Sequence, residues 1–134
     1  MLLSIVKKLP AVLIAAVGIS FGFAGTALAG EIFAEKTLGS EEHLRIRPPN
    51  RSNTIICYKA TDNKEPNLII ISVADIQNPR LIMIPDDMED LKVSQESGHQ
   101  CISINLGIMG VVRNSGYTDP STKSQSIHVY VRQN

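Results

Sequence analysis

Thr54-Ile55-Ile56-Cys57-Tyr58-Lys59-Ala60 and Gln100-Cys101-Ile102-Ser103-Ile104-Asn105-Leu106 carry the only two cysteines of the chain. Both runs are rich in β-branched residues, which suit a pleated, half-buried surface. In the second run Ile102, Ile104 and Leu106 alternate with Ser103 and Asn105, the period of a strand with one buried and one wetter face. Cys101 shares the parity of Ser103 and Asn105. Cys57 shares a face with Ile55 and Lys59, opposite Ile56 and Tyr58. The pair therefore predicts two strands joined by a Cys57–Cys101 disulfide on their wetter faces. Such a bridge is expected near a sheet rim or under a loop, rather than between two sheets as in antibody domains. The chain has no tryptophan to pack on a bridge of that kind. Closing a loop of about 45 residues would stabilise the fold by roughly 4 kcal/mol in the chain-entropy account.

Working outward, the chain reads as a series of short strands separated by turn chemistry. Glu31 to Leu38 is a weak strand or an ordered arm. His43 to Arg47 alternates, with Leu44 and Ile46 inward and the basic residues outward, and Pro48-Pro49 stops it. Leu68-Ile69-Ile70-Ile71-Ser72-Val73 is the most apolar run after the leader and predicts a central strand covered on both faces. Arg80 to Ile84 and Leu91 to Val93 are further strands, with Asp86 to Asp90 as a loop or single helical turn between them. Gly107 to Val112 reads as a continuation of the second cysteine strand, kinked or bulged at one glycine. Asn114 to Ser126 is a long polar loop. Ile127 to Arg132 is the final strand, with Ile127, Val129 and Val131 on one face. Seven to eight strands without an amphipathic helix predict an all-β domain: a small antiparallel β-sandwich, immunoglobulin-like or related, or a barrel.

The first 29 residues differ from the rest. Lys7 and Lys8 precede an apolar run from Leu9 to Phe23, and Ala27 and Ala29 form a small-residue cleavage site. This is the pattern of a secretory signal peptide, cut after Ala29. It leaves residues 30–134 as a single β-rich domain that is secreted or periplasmic, where a disulfide persists. No transmembrane segment is expected after cleavage. Removing the two lysines from 13 basic and 13 acidic residues leaves a weakly acidic domain, which has no electrostatic footprint for nucleic acid.

The inventory of reactive groups is sparse. There is no Gly-x-Ser-x-Gly elbow, and the disulfide leaves no cysteine as nucleophile, so no catalytic centre is expected. The acidic run Asp86, Asp87, Glu89 and Asp90 offers hard oxygen ligands but lacks the spacing and glycine of a calcium loop. His43, His99 and His128 lie far apart, and no pair has metal-ligand spacing; zinc would require them to converge in space. No cofactor is therefore expected. Arg45 and Arg47 share one strand face, with Arg51 and His43 nearby, and suit an anionic partner or simple edge protection. Tyr117 in the loop and Tyr130 on the outward face of the last strand are candidate contact residues. These features favour a non-catalytic binding module whose partner is another protein, working through a sheet edge or the 114–126 loop. An inhibitor of an extracellular or periplasmic hydrolase, or a small metal-dependent protein or enzyme built on the 86–90 cluster, are the alternatives.

Overall fold

A computed structural model of the chain describes residues 30–50, 53–73 and 77–134. The leader and Arg51 lie outside the described residues. Among the described residues nine strands run in chain order: β1 (Ile32–Gly39), β2 (His43–Ile46), β3 (Thr54–Ala60), β4 (Leu68–Ser72), β5 (Arg80–Ile84), β6 (Lys92–Glu96), β7 (His99–Ile104), β8 (Gly110–Asn114) and β9 (Ser126–Gln133). They form two antiparallel sheets, ordered β1-β9-β3-β7-β6 and β2-β8-β4-β5. Only the β4–β5 and β6–β7 hairpins stay within a sheet; the other connections cross between sheets.

The core lies between the sheets and is built by the alternation of each strand. Ile56 and Tyr58 of β3, Ile102 and Ile104 of β7, and Ile127, Val129 and Val131 of β9 face Leu68 and Ile70 of β4, Ile82 and Ile84 of β5, and Val112 of β8. This is the arrangement of a small β-sandwich, with the inner faces of two sheets sharing one core. Among the described residues no helix is long and apolar enough to cross a membrane.

The turns follow local chemistry. Ser97 and Gly98 both have positive φ (53° and 75°), which a two-residue hairpin loop of the type I′ class requires, and they set Glu96 opposite His99. Gly107, at φ 69°, begins the crossing from β7 to β8. Here the structure corrects the expected continuous strand. Pairing in the first sheet stops at Ile104, Leu106 turns fully into the core, and the chain resumes at Gly110 in the other sheet. A side chain at Gly110 would lie 2.7 Å from Leu106 Cδ2, so any larger residue there would displace the Leu106 side chain from its place in the core.

The disulfide is formed as expected but placed differently. Cys57 and Cys101 sit directly opposite each other on β3 and β7, with Cα atoms 4.0 Å apart. Both are on the outer face, as their parity requires, yet β3 and β7 are interior strands rather than a rim. Both cysteines are nonetheless completely buried. Their cover is made of side chains, described below.

β4 departs from expectation as well. It is central, paired with both β8 and β5. However, Ile71 is 36% exposed and Ile69 only half-buried, so among the described residues no second layer covers its outer face.

Candidate functional site

Strand parity and register assemble two rows of side chains across the outer face of the four-stranded sheet. One row runs Arg45, Val111, Ile71, Leu81; the next runs His43, Arg113, Ile69, Met83. Directly opposed side chains on one sheet face lie within contact range of each other. The face therefore grades from basic at β2 to wholly apolar at β4 and β5. Leu81 is 58% exposed, and Ile71 and Met83 are each more than a third exposed. Large apolar side chains scattered singly on a surface are ordinary; a contiguous group rimmed by charge marks a contact surface.

The basic end connects to the 114–126 loop. The Arg113 guanidinium lies 5.2 Å from the centre of the Tyr117 ring and 3.6 Å from Glu41. Tyr117 is half-buried at this margin, and Arg45 and Arg47 are exposed. Arg45, Arg47 and Tyr117 thus lie on or beside the same face. Tyr130 belongs to the opposite side of the sandwich and is nearly buried.

The loop is held at several points. The buried Asn114 side chain donates to Leu38 O at 3.1 Å and accepts from Gly116 N at 2.8 Å. Gln125 N donates to Asp62 Oδ2, and Lys123 pairs with Glu65. Burial alone would raise the Asp62 carboxyl, but hydrogen bonds from Ser124 and from the Gln125 and Lys64 amides hold it below the usual range. Asp119 accepts from Thr122 and Ser121, which keep its carboxyl low. Within the loop, residues 118–122 are the exposed stretch.

β5 is an edge strand, but its exposed backbone is partly capped. Met83 N donates to Asp87 Oδ2 at 2.7 Å, and Asp87 N donates to Met83 O at 2.7 Å. One carboxylate of the acidic run is thereby engaged with the sheet, and strand addition at β5 is obstructed. Met88–Asp90 forms a single 3-10 turn.

The outer face of the five-stranded sheet carries a polar network. Glu96 of β6 accepts from Tyr130 OH at 2.8 Å and from Arg132 Nε and Nη2 at 3.0 and 2.7 Å. Tyr130 and Arg132 lie on β9, so these contacts reach across β7 and β3. The Arg132 hydrogen bonds, then that of Tyr130, lower the Glu96 carboxyl; the carboxylate in turn raises Arg132. Burial, followed by Glu96, raises the Tyr130 phenol. His99 of β7 and His128 of β9 meet above β3, Nε2 to Nδ1 at 2.8 Å. The His99 ring also packs edge-on to Tyr130, with centroids 5.0 Å apart. Tyr130 packs with Cys57, Cys101 and Ile55 in one buried cluster, and the Glu96 carboxylate lies within 4.8 Å of both sulfurs, so these two side chains cover the disulfide.

Sequence reasoning did not bring His99 and His128 together. They are 29 residues apart, and only the β9-β3-β7 order makes them neighbours. Their shared outward parity was visible in the sequence; their proximity was not. His43 stays on the other sheet.

No protein-family model, no curated protein and no solved structure matches this chain. The fold and site by themselves define a class: an all-β, two-sheet protein with one intra-sheet disulfide and an apolar sheet face that the described residues leave exposed.

Proposed function

We propose that the protein is an exported, non-catalytic binding module whose partner is another protein. The observation that carries this reading is the exposed patch of Ile71, Leu81 and Met83, which spans the two rows and is continuous with the basic margin of Arg45 and Arg113. The complementary partner surface has an apolar centre and carboxylates facing the β2 side. Covering the remaining exposed parts of the three apolar side chains would contribute about 1 kcal/mol each. The signal-like leader and the disulfide support an oxidising compartment outside the cytoplasm.

The test is a comparison of captured partners. The disulfide-bonded domain is immobilised beside its Leu81→Lys and Arg45→Ala variants, and native extract is passed over each. A partner retained by the parent and lost by Leu81→Lys supports the apolar face. A partner retained equally by both overturns it.

The pinned 114–126 loop favours a second reading, an inhibitor of an extracellular or periplasmic hydrolase that presents residues 118–122. Replacing 118–122 by Gly/Ser separates the two. Loss of a captured hydrolase on loop replacement, with retention by Leu81→Lys, selects the inhibitor.

A further inference from the structure

The histidine pair on the five-stranded sheet holds a specific proton inventory. His99 Nδ1 lies 2.9 Å from Ser97 O, a carbonyl that can only accept, so this nitrogen carries a hydrogen. His128 Nε2 lies 2.7 Å from Glu35 Oε2, and towards a carboxylate it too is the donor. A neutral imidazole has one N–H and one lone pair. The remaining nitrogens, His99 Nε2 and His128 Nδ1, therefore face each other with lone pairs at 2.8 Å. Two lone pairs at that distance repel unless a positive species lies between them.

Both rings also have the outer contacts that orient metal-ligating histidines: one N–H to a carboxylate, the other to a backbone carbonyl. A separation of 2.8 Å is the chord between two metal–nitrogen bonds of ~2.0 Å at about 90°. That angle belongs to neighbouring positions of a tetragonal or octahedral ion; a tetrahedral ion would need the rings to part by about half an ångström. The His128 side chain is 26% exposed, which leaves an open side for water ligands.

We propose that His99 Nε2 and His128 Nδ1 form a two-imidazole site for a divalent transition metal, with copper(II) preferred over nickel(II) and zinc(II). The preference follows from the angle and from the general order of affinities for nitrogen ligands. The surrounding charges are balanced. Glu35 of β1 and Glu96 of β6 favour a cation. Lys59 of β3, paired in register with His128, opposes it, and Arg132 of β9 is engaged with Glu96. Thr37 of β1 and Tyr130 of β9 complete the surroundings without adding charge.

The test is titration of the untagged, disulfide-bonded protein with copper(II) alone, followed by electron paramagnetic resonance and calorimetry. One equivalent bound, with hyperfine coupling to two imidazole nitrogens, is the expected result. His99→Gln and His128→Gln each weaken binding at least ~100-fold, Glu35→Gln weakens it ~10-fold, and His43→Gln leaves it unchanged. Binding that survives both His99→Gln and His128→Gln overturns the proposal. Nitrogen-15 spectra of the parent protein provide a readout that does not depend on the variants folding. If they show a proton shared between the two rings that stoichiometric copper does not displace, the pair is a proton bridge and the metal site is refuted.

Discussion

Glu96→Ala removes the acceptor at the centre of the cover over the disulfide. The substitution leaves Tyr130 OH and two Arg132 nitrogens without their partner. Hydrogen bonds to a charged group contribute about 1.5–3 kcal/mol each when buried, but these three share one carboxylate and are not additive. The Glu96 and Arg132 side chains are also 32% and 23% exposed, so water offsets part of the loss. A net destabilisation of about 2 kcal/mol is expected, measured by urea unfolding of the oxidised protein. The same substitution opens a path to Cys57 and Cys101, which are fully buried beneath this network. If reduction proceeds through local opening of the cover, about 2 kcal/mol corresponds to a roughly 30-fold faster reaction with a phosphine reductant. The effect on stability depends on pH. The folded state holds the Glu96 carboxyl below its ordinary value of 4.5. Its contribution is therefore complete above that value and is lost as pH falls through the lowered one. The gap between parent and variant should close in acid. A variant that unfolds like the parent and is reduced at the parent's rate at neutral pH would refute the claim that this network covers and stabilises the bridge. Lower stability with an unchanged reduction rate would refute the gating alone.

Three further outcomes follow from the geometry. Burial pushes the Tyr58 phenol up to about 12, and its hydroxyl donates to the Met88 sulfur, a weak acceptor, at 3.4 Å. The parent should therefore lose about 2–3 kcal/mol as pH rises from about 10 to about 12, because the unfolded chain ionises first; in Tyr58→Phe that share of the alkaline loss should be missing, with near-parental stability at neutral pH. Asn114→Ala strips the buried amide that joins β8 to Leu38 and Gly116, and should cost about 2–4 kcal/mol in chemical denaturation. Gly116→Ala places a methyl 2.2 Å from Ser124 O, and should lower the thermal midpoint by several degrees and loosen the 114–126 loop to proteolysis.

What the sequence revealed and what it hid divide along local and non-local lines. The outward parity of Cys57 and Cys101 is legible because side chains alternate strictly along a strand. Their place in mid-sheet is not, since strand order is set by residues far away in the chain. Leu68 to Val73 shows the same difficulty. A continuous apolar run is written identically whether a second layer covers it or its outer face is left exposed. Ser97-Gly98 did carry a hairpin signal in its composition, and it sets Glu96 beside His99. That His99 then reaches His128 depends on β3 lying between β7 and β9 at a spacing of two strands, which no local pattern encodes. Tyr130 has the parity of a surface residue, yet it is shielded by Glu96 and His99, which come from a distant hairpin.

The pairing of β1 with β9 has a consequence for biogenesis. β9 also flanks β3, so the five-stranded sheet has a gap in its middle until the last strand arrives. A chain emerging from its amino end can build the β4–β5 and β6–β7 hairpins early, but cannot close either its core or the cover over its disulfide. Such a topology leaves the five-stranded sheet open until β9 has been made. Oxidation of Cys57 and Cys101 in an incomplete sheet would leave the bridge open to exchange, and arrival of β9 would then seal it.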